Sequence, residues 1–289
     1  MNNKIFSELE KAISNSRLTT YQNFLNTSSN EELIKTYILN AKLSENFYFL
    51  LQNLEVTLRN AIYDSYTNCS QFSKPFFYIR EQNTTRPYNR EFHSYACWKM
   101  IGTVKHNLQK NSVTVTDGKI ISELNFGFWT TLLEENYYKT VIWRKIFKNV
   151  FPYYNHTIKI DDDVDQVSSV INRIRQFRNR IFHFEAVIHK NNLQQIHNDI
   201  LDVISWINPT MYKFTKTFDE YDFLKEDKKL VDKLIYKMEK HAKIPRKKNY
   251  KKKKKTLKLK WVIAESLQKE NKKLFKNTEV QPCLINGAT

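Results

Sequence analysis

Glycine and proline are scarce: four Gly and six Pro in 289 residues. A β-sandwich, barrel or propeller reverses its chain every ~8–12 residues, and so few turn-formers cannot supply that. Gly-rich phosphate loops are excluded too, since neither GxGxxG nor GxxxxGK[ST] occurs. Cysteine is sparse. Cys69, Cys97 and Cys283 are odd in number and far apart, which argues against a disulfide framework and points to a reducing cytoplasm. His93 and Cys97, at i and i+4, make half a zinc site with no second half nearby, so no metal or other cofactor is expected. No run approaches the ~20 apolar residues of a membrane span, and the opening MNNKIFSELEKAI holds no signal-peptide core. What the chain does have is a 41% hydrophobic content with 19 Phe, 16 Tyr and 5 Trp, ample for a packed core. The expected fold class is all-α.

The formal charge of +17 is unevenly spread. Residues 225–276 carry 21 Lys and Arg against six Asp and Glu, a net +15, while residues 1–224 carry 26 against 23, a net +3. The densest stretch is IPRKKNYKKKKK, residues 244–255, with Arg246, Lys247, Lys248, Lys251, Lys252, Lys253, Lys254 and Lys255. Such a block repels itself. It suits contact with nucleic-acid phosphate, where each neutralised phosphate releases a counterion; a solvated tail that aids solubility is the plainer alternative. The lysines lack the flanking apolar moment that a membrane anchor needs, so no membrane partner is expected. The expected organisation is a helical domain over residues 1–215 and a Lys-rich extension over 216–289.

Apolar spacing predicts helices over 4–14, from a capping box at Ser28-Ser29-Asn30-Glu31 to about residue 66, over 88–110, from Trp129 to about 150, over 164–190, over 193–207, over 219–241 and over 257–276. Residues 113–119 read as a loop or strand pair. LNFGFW, residues 124–129, reads as an interruption at Gly127, with Phe126, Phe128 and Trp129 as core anchors. Asp161, Asp162 and Asp163 put negative charge where a helix N-terminus favours it.

Residues 171–189, INRIRQFRNRIFHFEAVIH, carry the chemistry. On a helix at ~100° per residue, Val170, Ile174, Phe177, Ile181, Phe184 and Ile188 form one core-facing stripe. His183 lies ~140° from the centre of that stripe, with Asn172, Arg175, Gln176 and Asn179 on its side and Arg178 at the border. Lys outnumbers Arg 36 to 11 in the chain, yet Arg173, Arg175, Arg178 and Arg180 fall within eight residues. A local switch to Arg suits forked recognition of phosphate. Arg can hold a scissile phosphate and stabilise its developing charge, and His can move a proton near neutral pH. The RNA 2′-hydroxyl supplies an internal nucleophile, so metal is not required. Arg178, Asn179 and His183 are the candidate catalytic set. Arg173, Arg175 and Arg180, with the basic tail, are candidate RNA contacts.

Arg178-Asn179-Arg180-Ile181-Phe182-His183 resembles the Arg-x4–6-His motif of HEPN ribonucleases, including the polar residue after the Arg. Residues ~10–210 resemble Abi-like abortive-infection proteins of the AbiD/AbiF type. The pieces, in order, are Arg17-Leu18-Thr19-Thr20-Tyr21, Tyr37-x-x-Asn40-x-x-Leu43-Ser44, Glu55-Val56-Thr57-Leu58-Arg59-Asn60 and Asn125-Phe126-Gly127-Phe128-Trp129. The resemblance implies a HEPN-like helical bundle that pairs as a homodimer, metal-independent endonucleolytic cleavage of RNA in anti-phage defence, and a small non-coding RNA as partner. Glu55 and Arg59 at i and i+4 make an ordinary helix salt bridge. The resemblance adds a second role, in which Glu55 orients an active-site Arg with Arg59 and Asn60 in support. Two other readings of the chain stay open: a catalytically inactive HEPN-like module that binds RNA, and a protein-interaction adaptor.

Overall fold

The computed structural model describes residues 3–25, 29–78, 95–134 and 138–222. The chain divides into two compact units, residues 1–235 and 236–289, and every described residue belongs to the first. The helices expected beyond residue 222 and the Lys run with Arg246 lie outside the described residues.

All regular structure among the described residues is helical, as expected from the dearth of turn-formers. Helices α1 (Asn3–Ile13) and α2 (Asn15–Leu25) meet at Ser14, whose φ of 83° reverses the chain. The spine is α3 (Asn30–Thr67), 38 residues long and so about 57 Å. Its N-cap is Ser29, one residue later than expected, and the Ser29 hydroxyl accepts from the Glu32 amide at 3.4 Å. Helix α4 (Tyr95–Lys110) precedes a short α5 (Asp117–Glu123). The expectation of a loop or strand pair over 113–119 fails at its end: the Thr116 hydroxyl accepts from the Lys119 amide and starts a helix instead.

Helix α6 (Phe126–Glu134) begins where an interruption was expected. Asn125 Oδ1 accepts from the Phe128 amide at 3.2 Å. A Cβ on Gly127 would sit 3.0 Å from that oxygen, so the glycine makes room for the cap. A π-helical stretch, Lys139–Trp143, leads into α7 (Arg144–Val150). Then follow α8 (Ile160–Phe182), with Asp161, Asp162 and Asp163 in its first turn, α9 (Leu193–Ile207) and α10 (Pro209–Thr217). Asn208 caps α10 through the Met211 amide at 2.9 Å, and Pro209 occupies the first helical position, where its missing N–H costs nothing.

The spine α3 is packed by α7, α8, α9 and α10, and α6 lies against α8. Leu50, Leu54, Leu58 and Ile62 of α3 are fully buried, as are Phe147 of α7, Ile171 and Ile174 of α8 and Ile200 and Ile204 of α9. Phe126, Phe128 and Trp129 are buried core residues, and Trp129 stacks on Phe76 at 6.0 Å. A second, smaller core joins Leu18 and Tyr21 of α2 to Leu33 and Ile34 of α3. The expected domain boundary at residue 215 falls inside α10, and Asp219 and Glu220 are bonded back onto α3 and α9, with the Tyr221 ring stacked on His197. No helix among the described residues is long and apolar enough to cross a membrane.

Candidate functional site

Helix α8 was expected to run to residue 190 but stops at Phe182. The amides of His183, Phe184 and Glu185 donate to the carbonyls of Asn179, Ile181 and Arg180 at 2.9, 3.0 and 2.9 Å. The last two bonds are the crossed pair of a Schellman closure. The left-handed residue is Phe184, with φ 56°. Glycine is the usual occupant, and a side chain there costs roughly 1–2 kcal/mol. The expected stripe is therefore cut. Ile174, Phe177 and Ile181 are buried, Phe184 is 75% exposed, and Ile188 packs into the smaller core.

Two distant residues hold the turn. Arg17 Nη1 donates to the Phe184 carbonyl at 3.1 Å. The buried Asn40 side-chain oxygen accepts from the amides of Val187 and Ile188 at 2.8 and 3.1 Å. The segment after the motif is thus tied to α2 and α3, which restricts the end of α8.

Arg178 is part-buried, and its guanidinium lies 4.0 Å over the Phe182 ring and 6.0 Å from the Phe126 ring. Its Nη2 stands 3.5 Å from Glu55 Oε2, with the two side chains 21% and 20% exposed. The planar guanidinium is thereby fixed by one carboxylate and one ring face. Its Nε is buried without a hydrogen-bond partner, as is Arg59 Nε. Of the two readings of Glu55, the geometry has the carboxylate on Arg178, with no ion pair between Glu55 and Arg59 among the described residues. Asn60 is exposed on α3.

His183 is the C-cap of α8 and is exposed, as is Asn179 one turn before it. Because Arg178 reaches toward the helix end to cover Phe182, its charge lies beside the residue that precedes His183. The other three arginines face carboxylates. Arg173 Nε donates to Asp199 at 2.7 Å, Arg175 Nη2 to Glu134 at 3.1 Å and to Asn172 at 2.7 Å, and Arg180 Nη1 to Glu185 at 2.8 Å. Arg175, expected on the His183 face, reaches instead to Glu134 of α6, and Asn172 accepts from that same guanidinium. Arg246, Lys247, Lys248 and Lys251 to Lys255 lie outside the described residues. Among the described residues, no group of three His, Cys, Asp or Glu side chains is gathered as a metal site.

One feature sequence reasoning missed is a groove of about 380 Å³ between α2, α3 and the end of α8. Arg17, Tyr21, Tyr37, Asn40, Phe182 and Phe184 are among its lining residues. They come from three segments far apart in sequence, 17–21, 37–40 and 182–184, so no local pattern marks the groove. No family model, no curated protein and no solved structure matches this chain.

Proposed function

We propose that this protein is a HEPN-type RNA endonuclease of the abortive-infection kind, acting in bacterial anti-phage defence as a homodimer, with a small non-coding RNA as its partner. The observation that supports this most is the setting of Arg178. It is oriented by Glu55 and the Phe182 ring, retains a buried Nε with no partner, and lies over the residue that precedes the exposed His183. A buried donor without a partner is rare enough to call for a functional account.

In this reading Arg178 binds the scissile phosphate and stabilises the charge that develops on its oxygens. The RNA 2′-oxygen attacks phosphorus, the bond from phosphorus to the 5′-oxygen breaks, and a 2′,3′-cyclic phosphate and a 5′-hydroxyl result. One proton must leave the 2′-hydroxyl and one must reach the 5′-oxygen. His183 can serve one of these transfers. A second copy of the same helix end, brought across a two-fold axis, supplies the other.

The test is cleavage of unmodified RNA by the purified full-length chain and by two variants. Arg178→Ala and His183→Gln should each abolish cleavage with the fold retained. His183→Gln, at an exposed position, should melt like the wild type, while Arg178→Ala, which leaves Glu55 unpaired, should melt somewhat lower. Gln keeps the hydrogen-bonding capacity of His but cannot transfer a proton near neutral pH. A folded His183→Gln variant that cleaves at a near-wild-type rate would sink this reading. A wild type that binds RNA without cutting it would favour the binding-module reading.

A further inference from the structure

We propose that the groove beside Arg178 holds one unpaired RNA base, stacked on the Phe184 and Tyr48 rings, with the phosphates on either side of it on Arg178 and Arg17. The proposal rests on the reading of this chain as an RNA endonuclease, and names the form of RNA its site takes.

Three observations converge. First, three aromatic side chains that ordinary packing would cover are left open along one rim: Tyr48 is 51% exposed, Phe182 39% and Phe184 75%. Tyr48 and Phe182 have ring centroids 5.4 Å apart. The groove they border, about 380 Å³, is in the range of pockets that enclose small ligands.

Second, the turn that presents Phe184 is costly as built. Gly would adopt its φ of 56° without steric penalty. The chain instead places an aromatic ring there, directed to solvent, and braces its carbonyl with Arg17. Backbone strain retained at an exposed, braced position is the pattern found at ligand-binding turns.

Third, the charges match a nucleotide better than an apolar peptide. Arg17 lines the groove, and Arg178 lies over the ring of Phe182, which also lines it. The carboxylate at the rim, Glu45, is paired with Lys42 at 2.6 Å. Stacking faces beside forked cations are what single-stranded RNA uses. Two polar groups of the lining are engaged within the fold: Asn40 Oδ1 takes two amides, and the Ser44 hydroxyl donates to the Asn40 carbonyl at 2.8 Å. The open rings of Tyr48 and Phe184 recognise the face of a base, which every base presents. The groove should accept any base that is unpaired and reject a duplex.

The test reads binding of the full-length chain to a short, fluorescent, single-stranded 2′-O-methyl oligouridylate, which cannot be cleaved. Phe184→Gly is the decisive variant because structure and binding move in opposite directions. It relieves the left-handed strain and keeps the carbonyl that Arg17 grips, so the melting temperature should hold or rise. Affinity should fall roughly fivefold to a hundredfold, the loss expected for one stacked base. Tyr48→Ala should weaken binding in the same way, an oligoadenylate should bind comparably, and a duplex of equal length should bind less well and be insensitive to Phe184→Gly. Wild-type affinity in the Phe184→Gly variant would overturn the proposal. So would loss of self-association with RNA binding intact, which would make the rim a protein interface. The endonuclease reading fails separately, in a wild type that binds the oligomer but cannot cut its unmodified counterpart. A wild type that binds no RNA overturns both.

Discussion

Replacing Asp219 by Asn should loosen the segment that follows α10 from α3 and α9. The Asp219 side chain is 1% exposed and accepts four hydrogen bonds. They come from His197 Nε2 at 2.8 Å, Lys216 Nζ at 2.9 Å, Asn46 Nδ2 at 3.2 Å and the Tyr221 amide at 3.1 Å. His197 is itself buried and stacks on Tyr221 at 4.2 Å. Burial alone would raise the Asp219 carboxyl, but the bonds from His197, Lys216, Asn46 and the Tyr221 amide outweigh it and hold the group far below the usual carboxylate range. Asn keeps the shape and one acceptor oxygen but loses the charge and turns the other position into a donor. Losing charge-assisted bonds costs about 1.5–3 kcal/mol each. Part of that is recovered because Lys216 can return to solvent, so a net loss of about 2–4 kcal/mol is expected. For a unit of this size that is roughly 5–15 °C in melting temperature. The pH dependence has a definite sign. A carboxyl depressed in the folded state contributes stability that is complete above its unfolded pKa of ~3.9 and is lost as the pH falls toward the folded value. The gap between wild type and Asp219→Asn should therefore be full at pH 7 and shrink below about pH 4. Thermal melts across pH 3–7 measure it. A gap under about 1 kcal/mol at pH 7, or one that stays constant to pH 3, would refute the reasoning.

Asn40→Ala removes the shared acceptor of the Val187 and Ile188 amides. It should cost about 2–4 kcal/mol and strip hydrogen-exchange protection from those two amides. Phe177→Ala, which deletes a buried ring 4.6 Å from Phe47, should cost about 3–5 kcal/mol in thermal melts and abolish RNA cleavage through unfolding, unlike Arg178→Ala. Deleting residues 244–289 removes Arg246 and seven lysines of the densest run. RNA affinity should fall, and its dependence on log salt should flatten by up to about 0.7 per cation lost; an unchanged slope in filter-binding or anisotropy titrations would count against a phosphate-binding tail.

The helical class was legible because the argument needed only composition and period. Residues 193–207 obey their 3.6-residue stripe from end to end, and α9 has those bounds. Where local signals misled, a side-chain cap had overridden them. Val113-Thr114-Val115-Thr116 alternates like a strand, yet the Thr116 hydroxyl serves as the N-cap of α5. Gly127 looks like a helix breaker, yet it accommodates the cap on Asn125. Helix α2 has only Leu18 and Tyr21 buried, too few apolar positions to mark a stripe. The end of α8 carries no Gly or Pro at all. Its stop depends on Arg17, 167 residues away in sequence, and on Asn40, 147 residues away, and no window of residues 171–189 contains either.

The same division between local and distant contacts runs through the candidate site. Arg178 and His183 are five residues apart, so that one helix end carries both could be read from the chain. What makes Arg178 more than a surface cation is its orientation, and that comes from Glu55, 123 residues earlier. The i, i+4 spacing of Glu55 and Arg59 invited a helix-surface pairing worth ~0.2–0.5 kcal/mol. The fold offers Glu55 a part-buried guanidinium instead, where the dielectric is lower and each charge counts for more. The arginine cluster divides by the same rule. Arg173, Arg175 and Arg180 each found a carboxylate on a neighbouring element or turn, so the local excess of Arg that pointed to phosphate is in large part spent on holding α8 in place. Arg178 differs in resting on a ring and in keeping a buried donor unpaired. Composition drew attention to one segment, and only the packing around it distinguishes Arg178, the arginine we propose for the phosphate, from the three whose partners are carboxylates on a neighbouring element or turn.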